Sequence, residues 1–390
     1  MTEVRPFRAS IVRPEWAARV VSPMHDSLAP DERAAIKASN PDSFLHVTRR
    51  AGDPGETADP AEAAAQGTAE LERLLAEGAF REFPDPSLFV YRLESGGSSH
   101  TGIVAEVPVA AFERGDVRGH EDVQPDRVDA LARYLEGVGV SSDPVALMFA
   151  PDDEVARVLE DVAREEPVLD VETTTPQTVW RIADPVAQAT IADRLGSAVT
   201  YVADGHHRVA ASIAASKRLE DPSDAVILCV LYPADQLRVL AFHRLVVGPV
   251  DERALRRGLD ERFTVEETQA PQHGPGSFAI RLGGRWLRAV SHDPDRRPGV
   301  AGLDVTRLHK DLLRPLLGVA DAGDARLEVI PEVVAVEKLT ARADEVRGAL
   351  FLLAPPSVEE LVEVADRGEV VPPKSTYFVP KPMSGVFLRR

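Results

Sequence analysis

The sequence predicts a mixed α+β fold, and three observations carry that prediction. Between residues 125 and 250, short apolar runs bounded by turn residues alternate with segments of helical period. Glycine pairs at Gly96-Gly97 and Gly283-Gly284 sit between β-patterned runs and mark hairpins. Pro-Asp steps at Pro30-Asp31 and Pro125-Asp126 supply the acidic, proline-first turns that start helices.

Along the chain, "RPFRASIVRP" and "VVSPMHD" are short apolar runs broken by prolines. A helix is expected over 30–40 and a strand over 43–49. Residues 51–68, rich in Ala, Gly, Pro and Asp, read as a flexible insertion. A helix at 69–79 precedes paired strands at 87–95 and 100–109. The period then turns helical at 125–139, extended at 143–150 and helical at 152–165. Strand 177–184, helix 185–196, strand 198–204 and a helix from His206 follow. Two apolar strands, 225–232 and 238–247, close this part. Beyond it come a helix at 251–263, a Pro/Gly linker at 269–277, a hairpin turning at Gly283-Gly284, and further α+β pattern at 305–318 and 340–354. The tail 370–390 is too patterned to be disordered. The expected organisation is an N-terminal α+β segment (1–100), a core (101–250) and a C-terminal α+β region (251–390).

The 390 residues carry a formal charge of −18. An acidic surface of that size repels a phosphate backbone, and no basic run compensates it, so nucleic acid is not an expected partner. Cys229 is the one cysteine, which excludes internal disulfides and a cysteine zinc site. No signal-like N-terminus and no apolar stretch near ~20 residues is present, so a cytoplasmic protein without a membrane span is expected.

The stretch "YVADGHHRVAAS" (201–212) concentrates titratable groups at a strand–turn–helix corner. Asp204 is expected to cap the helix, accepting from first-turn amides. Gly205 lets an anion approach the backbone, and the helix start attracts it. Arg208 adds a planar fork for phosphate or carboxylate, and His206 and His207 can donate or shuttle a proton. The bland alternative is a cap, a turn and space-filling histidines. Metal ligation is a rival: adjacent histidines diverge by about 100°, but Asp204 is retained as a candidate Mg²⁺ ligand.

The chain resembles domain of unknown function 1015 over essentially its whole length, through "RPFRA" (5–9), "NPDSFLHVTR" (40–49), "HEDVQPDR" (120–127), "DPVALMF" (143–149), "ADGHHRVAA" (203–211), "FHRLV" (242–246), "RPLLG" (314–318) and "PPKSTYFVPK" (372–381). At 22–26 "SPMHD" departs from that family's proline-tyrosine-aspartate but keeps Asp26. Gly205-x-x-Arg208-x-x-Ala211 also resembles the GxxRxxA pattern of the ParB/sulfiredoxin superfamily, whose members bind a nucleotide phosphate at this corner. That resemblance implies a ParB/sulfiredoxin-like core. His206 stands where sulfiredoxins carry cysteine, so sulfinic acid reduction is not implied.

In that superfamily an upstream carboxylate serves as base, which makes Glu121, assisted by His120, the candidate for deprotonating an acceptor hydroxyl. His243 and Arg244 interrupt an apolar strand, where alternation would bury one and show the other to a cleft. Lys374, Ser375 and Thr376 supply phosphate donors on a proline-stiffened loop. The function expected is a nucleotide-dependent phosphotransferase, with ATP or ADP and Mg²⁺, acting on a small hydroxyl metabolite such as free serine. A hydrolase of phosphorylated metabolites and a non-catalytic ParB-like switch are the alternatives. In each case the expected partner is a small phosphate-bearing molecule.

Overall fold

The computed structural model describes residues 2–173, 175–219, 221–292, 297–321 and 323–389. The chain is mixed α+β, as its patterning implies, and it gathers into two units. Unit 1 comprises Met1–Gly119, Val123–Leu237 and Pro380–Arg390; unit 2 comprises His120–Asp122 and Arg238–Val379. These boundaries differ from the three consecutive segments expected: the tail's last residues belong with the N-terminal strands, and three residues of the 120s belong with the C-terminal region.

Unit 1 is built on a ten-stranded mixed sheet. In spatial order it runs Phe387–Leu388, Phe7–Val12, Phe80–Ser95, Ser98–Pro108, Val226–Pro233, Val145–Phe149, Thr200–Asp204 and Val117–Arg118. The long strand Phe80–Ser95 also pairs Gln177–Ile182, which in turn pairs Leu169–Val171. β-Branched and leucine side chains of the central strands, among them Val90, Ile103, Leu147 and Leu231, form the core, with Cys229 buried among them. Helix Pro125–Val138 packs against helix His206–Ser216 and against Pro60–Ala76. The latter contact needs Gly137, where an added Cβ would lie 2.9 Å from the Ala64 methyl.

Two sequence expectations fail in this unit. Residues 43–49 form no strand; Phe44–His46 is a 3₁₀ turn whose Ser43 hydroxyl accepts the Leu45 amide at 3.3 Å. Phe44 and Leu45 are buried, so the apolar run reports burial rather than pairing. Residues 51–68 are not simply an insertion, because a helix starts at Pro60. Asp59 caps it, accepting from Ala61 N–H at 2.9 Å, and proline occupies the first helical position. The loop before it is pinned: Arg33 binds Asp53 through two bonds of 2.7 and 2.8 Å, and Arg49 pairs Glu56 at 2.8 Å.

Unit 2 contains a six-stranded sheet, in the order Phe263–Thr268, Arg285–Ser291, Ser277–Leu282, Ala349–Leu352, Phe242–Val246 and Leu327–Pro331. Its neighbouring strands are antiparallel. The hairpin turns at Gly283-Gly284, as expected. The apolar run 238–247 is split, with Arg238–Leu240 pairing Tyr377–Val379 and only Phe242–Val246 entering the sheet. Among the described residues no helix is long and apolar enough to cross a membrane.

Candidate functional site

Strand Thr200–Asp204 ends at the corner and Gly205 turns it with φ +107°, a conformation that suits glycine. Helix His206–Ser216 begins at the next residue, so Gly205, not Asp204, is its N-cap. The expected capping bond is replaced by two ionic ones. One Asp204 oxygen accepts from Arg208 Nη2 at 2.6 Å and the other from Lys381 Nζ. Charge-assisted bonds to two cations outweigh bonds to neutral amides. Although burial opposes ionisation, Lys381 and then Arg208 hold the Asp204 carboxyl well below the usual carboxylate range.

Arg208 is buried, and its guanidinium lies within about 3 Å of where a Cβ on Gly205 would sit. Nη1 donates to the Pro144 and Asp143 carbonyls at 2.5 and 3.2 Å. Its buried Nε has no hydrogen-bond partner among the described residues. Burial disfavours its charge, but Asp26, Asp204 and Asp143 together raise its pKa. Asp26 is thereby brought to the corner. The fork expected to grip a ligand is mostly engaged by the protein, and Arg208 acts first to lock strand end to helix start.

His207 Nε2 accepts the Gln124 amide at 3.1 Å, which requires the neutral ring to carry its proton on Nδ1. This bond ties the helix start to the N-cap of Pro125–Val138. His206 is buried, and a Cβ at Gly119 would lie 3.2 Å from its ring.

Beside this corner unit 1 forms an open cavity of about 410 Å³. Its polar wall includes His207, Arg208, Arg49, Arg50 and Arg127, with Asp26, Asp126 and Asp143 among them; Leu131, Tyr134, Leu135 and Val138 make an apolar wall. Burial raises the Asp143 carboxyl, only partly offset by Arg208. The Tyr134 hydroxyl donates to Val47 carbonyl, fixing its ring against the loop after Phe44–His46. Arg50 is exposed and has no ion-pair partner among the described residues, so it is available to an anion. The size falls within the range for small-molecule sites, as does the mixture of apolar wall and a few charged groups.

The other sequence candidates gather in unit 2. His120 is buried against the Phe378 ring at 5.9 Å, and burial lowers its pKa to about 4. Glu121 accepts the Lys374 amide at 3.5 Å, and Val371 N–H donates to His120 carbonyl at 2.7 Å. Ser375 is buried and its hydroxyl donates to Pro372 carbonyl at 2.6 Å, a bond that shapes the loop. Thr376 is half-buried beside it. Alternation does not expose either of His243 and Arg244: they are 2% and 4% exposed. Both faces of the strand are covered, since all five residues of Phe242–Val246 are buried.

The structure thus assembles 204–208 with Asp26 in one unit, and His120, Glu121, Lys374 and Arg244 in the other. Residues missed by sequence reasoning are Lys381, Arg49, Arg50, Arg127, Tyr134 and Asp143. Arg49, Arg127, Asp143 and Lys381 lie inside the resemblance stretches quoted above, a signal that was available. As a Mg²⁺ ligand Asp204 does not fit, because both its oxygens already bind cations. Among the described residues no group of three or more His, Cys, Asp or Glu side chains is placed to hold a metal.

Comparison with curated proteins finds no match. Among solved structures, a free serine kinase mutant in complex with ADP is 16% identical with TM-score 0.39, over 71% of this chain and 87% of that one. A conserved hypothetical protein from Pyrococcus furiosus is 15% identical with TM-score 0.36, over 74% and 94%. SbnI with a C-terminal truncation, from Staphylococcus aureus, is 14% identical with TM-score 0.38, over 72% and 85%. All three likenesses are remote. The family model for proteins of unknown function, DUF1015, matches residues 4–306, well over half of the chain, and the chain belongs to that family.

Proposed function

We propose that unit 1 binds a nucleotide in its 410 Å³ cavity and that the protein is a small-molecule phosphotransferase. One observation carries the binding half. In a chain of net charge −18, this cavity holds four arginines next to an apolar wall; Arg208 and Arg49 are engaged within the fold, whereas Arg50 has no ion-pair partner among the described residues. A nucleotide needs that division, with a surface for the base and fixed cations for the phosphates. The transfer half rests on the GxxRxxA resemblance, which assigns Glu121 as the base and a hydroxyl metabolite such as free serine as acceptor.

Calorimetric titration of AMP, ADP, ATP and CTP, each with and without Mg²⁺, tests the binding half on wild type, Arg50→Glu and Arg127→Ser. Saturable binding that weakens at least tenfold in both variants is expected. A folded wild type that binds none of the four sinks the reading. For transfer, Glu121→Gln should retain nucleotide affinity and lose phosphorylation of serine. Phosphate release from phosphorylated metabolites without any nucleotide would instead establish a hydrolase.

A further inference from the structure

Three arginines are buried among the described residues: Arg33, Arg208 and Arg244. The first two meet carboxylates, Arg33 on Asp53 and Arg208 on Asp204. Arg244 meets none. Its Nη1 donates to the carbonyls of Phe242 at 2.9 Å and His243 at 3.4 Å, and its Nη2 to the Lys374 carbonyl at 2.8 Å. Carbonyl dipoles satisfy some of its five N–H groups but leave the positive charge without a counter-charge. Burial accordingly lowers its pKa to about 10, with no acidic neighbour to offset it.

The surroundings add a second cation, Lys374, whose backbone amide already donates to the Glu121 carboxylate at 3.5 Å. Phe242 lies two residues before Arg244, on the same face of the strand, and Lys374 Nζ sits 5.6 Å from the centre of its ring. Lys374 adopts φ +59°, which non-glycine residues seldom do, and this backbone carries the carbonyl bonded to Arg244. Residues held in such conformations concentrate where a ligand or a switch over-determines them. The alternate face holds a different pair, His243 with His273 at 6.0 Å.

We infer that Arg244 and Lys374 form an oxyanion site in unit 2 whose occupant, a carboxylate or a phosphate, supplies the missing counter-charge. The planar guanidinium suits either group through paired N–H···O bonds. None of these residues lines the unit 1 cavity, so the inference stands whether or not that cavity takes a nucleotide.

The test follows the thermal unfolding midpoint of the full-length protein against sodium phosphate or sodium acetate, at ionic strength held constant with sodium chloride. A saturable rise with at least one of the two anions is expected in wild type and in Arg50→Glu, whose change lies in the unit 1 cavity. Which anion saturates distinguishes phosphate from carboxylate. The apparent affinity should fall at least tenfold in Arg244→Gln and in Lys374→Glu. Lys374 is exposed, so its variant tests the site even where Arg244→Gln does not fold. No saturable rise in wild type with either anion, or a rise that survives Lys374→Glu, overturns the proposal. A rise lost only in Arg50→Glu assigns the anion to the unit 1 cavity and overturns it equally.

Discussion

Arg208 and Arg244 are buried to a similar degree yet solve the same problem differently. In unit 1, Arg208 sits in the field of Asp26, Asp204 and Asp143, and its charge is compensated within the fold. In unit 2, Arg244 is held by carbonyls, and no carboxylate among the described residues compensates its charge. The difference teaches that sequence position beside a histidine says little about an arginine's role. A compensated guanidinium holds a corner together, whereas an uncompensated one is available to a ligand.

The largest expected effect tests that contrast directly. Arg208→Ala strips Asp204 of one partner and should cost about 3–5 kcal/mol, as breaking a buried pair does. Arg244→Met in buffer free of phosphate and carboxylate should cost less, about 1–2 kcal/mol, since the lost carbonyl bonds are offset by removal of a buried charge. Urea unfolding of both variants measures the difference, and equal losses would break the comparison. It follows that loss of ligand binding in Arg208→Ala must be read against the fraction still folded.

Gly205→Ala forces a Cβ onto a positive φ and against the Arg208 guanidinium. A loss of about 1–3 kcal/mol is expected by the same unfolding measurement. A neutral result would mean that the corner relaxes and that Arg208 is less firmly locked than its bonds imply.

A pH series sharpens the comparison next. His25, His120 and His243 are each brought to about 4 from an ordinary 6.5, mainly by burial. Their neutral forms are favoured in the fold, so the unfolded chain binds more protons between those values. Their contribution to stability is complete above about 6.5 and lost as pH falls towards 4. Asp204, whose pKa is depressed, contributes above the ordinary carboxylate range and is lost only in stronger acid. Unfolding midpoints measured from pH 7.5 to 4 should therefore decline, and His243→Asn should flatten the decline. A flat wild-type profile would show that these rings charge in the fold without penalty.

The smallest effect concerns the cavity wall. Tyr134→Phe removes one donor to Val47 carbonyl and should cost about 1 kcal/mol, read again from urea unfolding.

The sequence by itself determined the local features. Alternating periods named the mixed class, Gly283-Gly284 named the hairpin, and the apolar run ending in "ADGHHR" named a strand–turn–helix corner. Each depends on φ/ψ preference and side-chain period within a few residues, and so is legible from a window of that length. The helix at Pro60 was hidden by a composition shared with loops, although Asp59-Pro60 carried its start. Tertiary structure decided which charges meet. Asp204 was free, as sequence, to cap its own helix; Lys381, 177 residues later, claimed one of its oxygens. Arg244 reads like Arg208, a basic residue after histidine, yet only the chain's path shows that one finds carboxylates and the other carbonyls. Ionic partners are chosen by distance in space, and an ion pair between distant residues leaves no periodic trace along the chain.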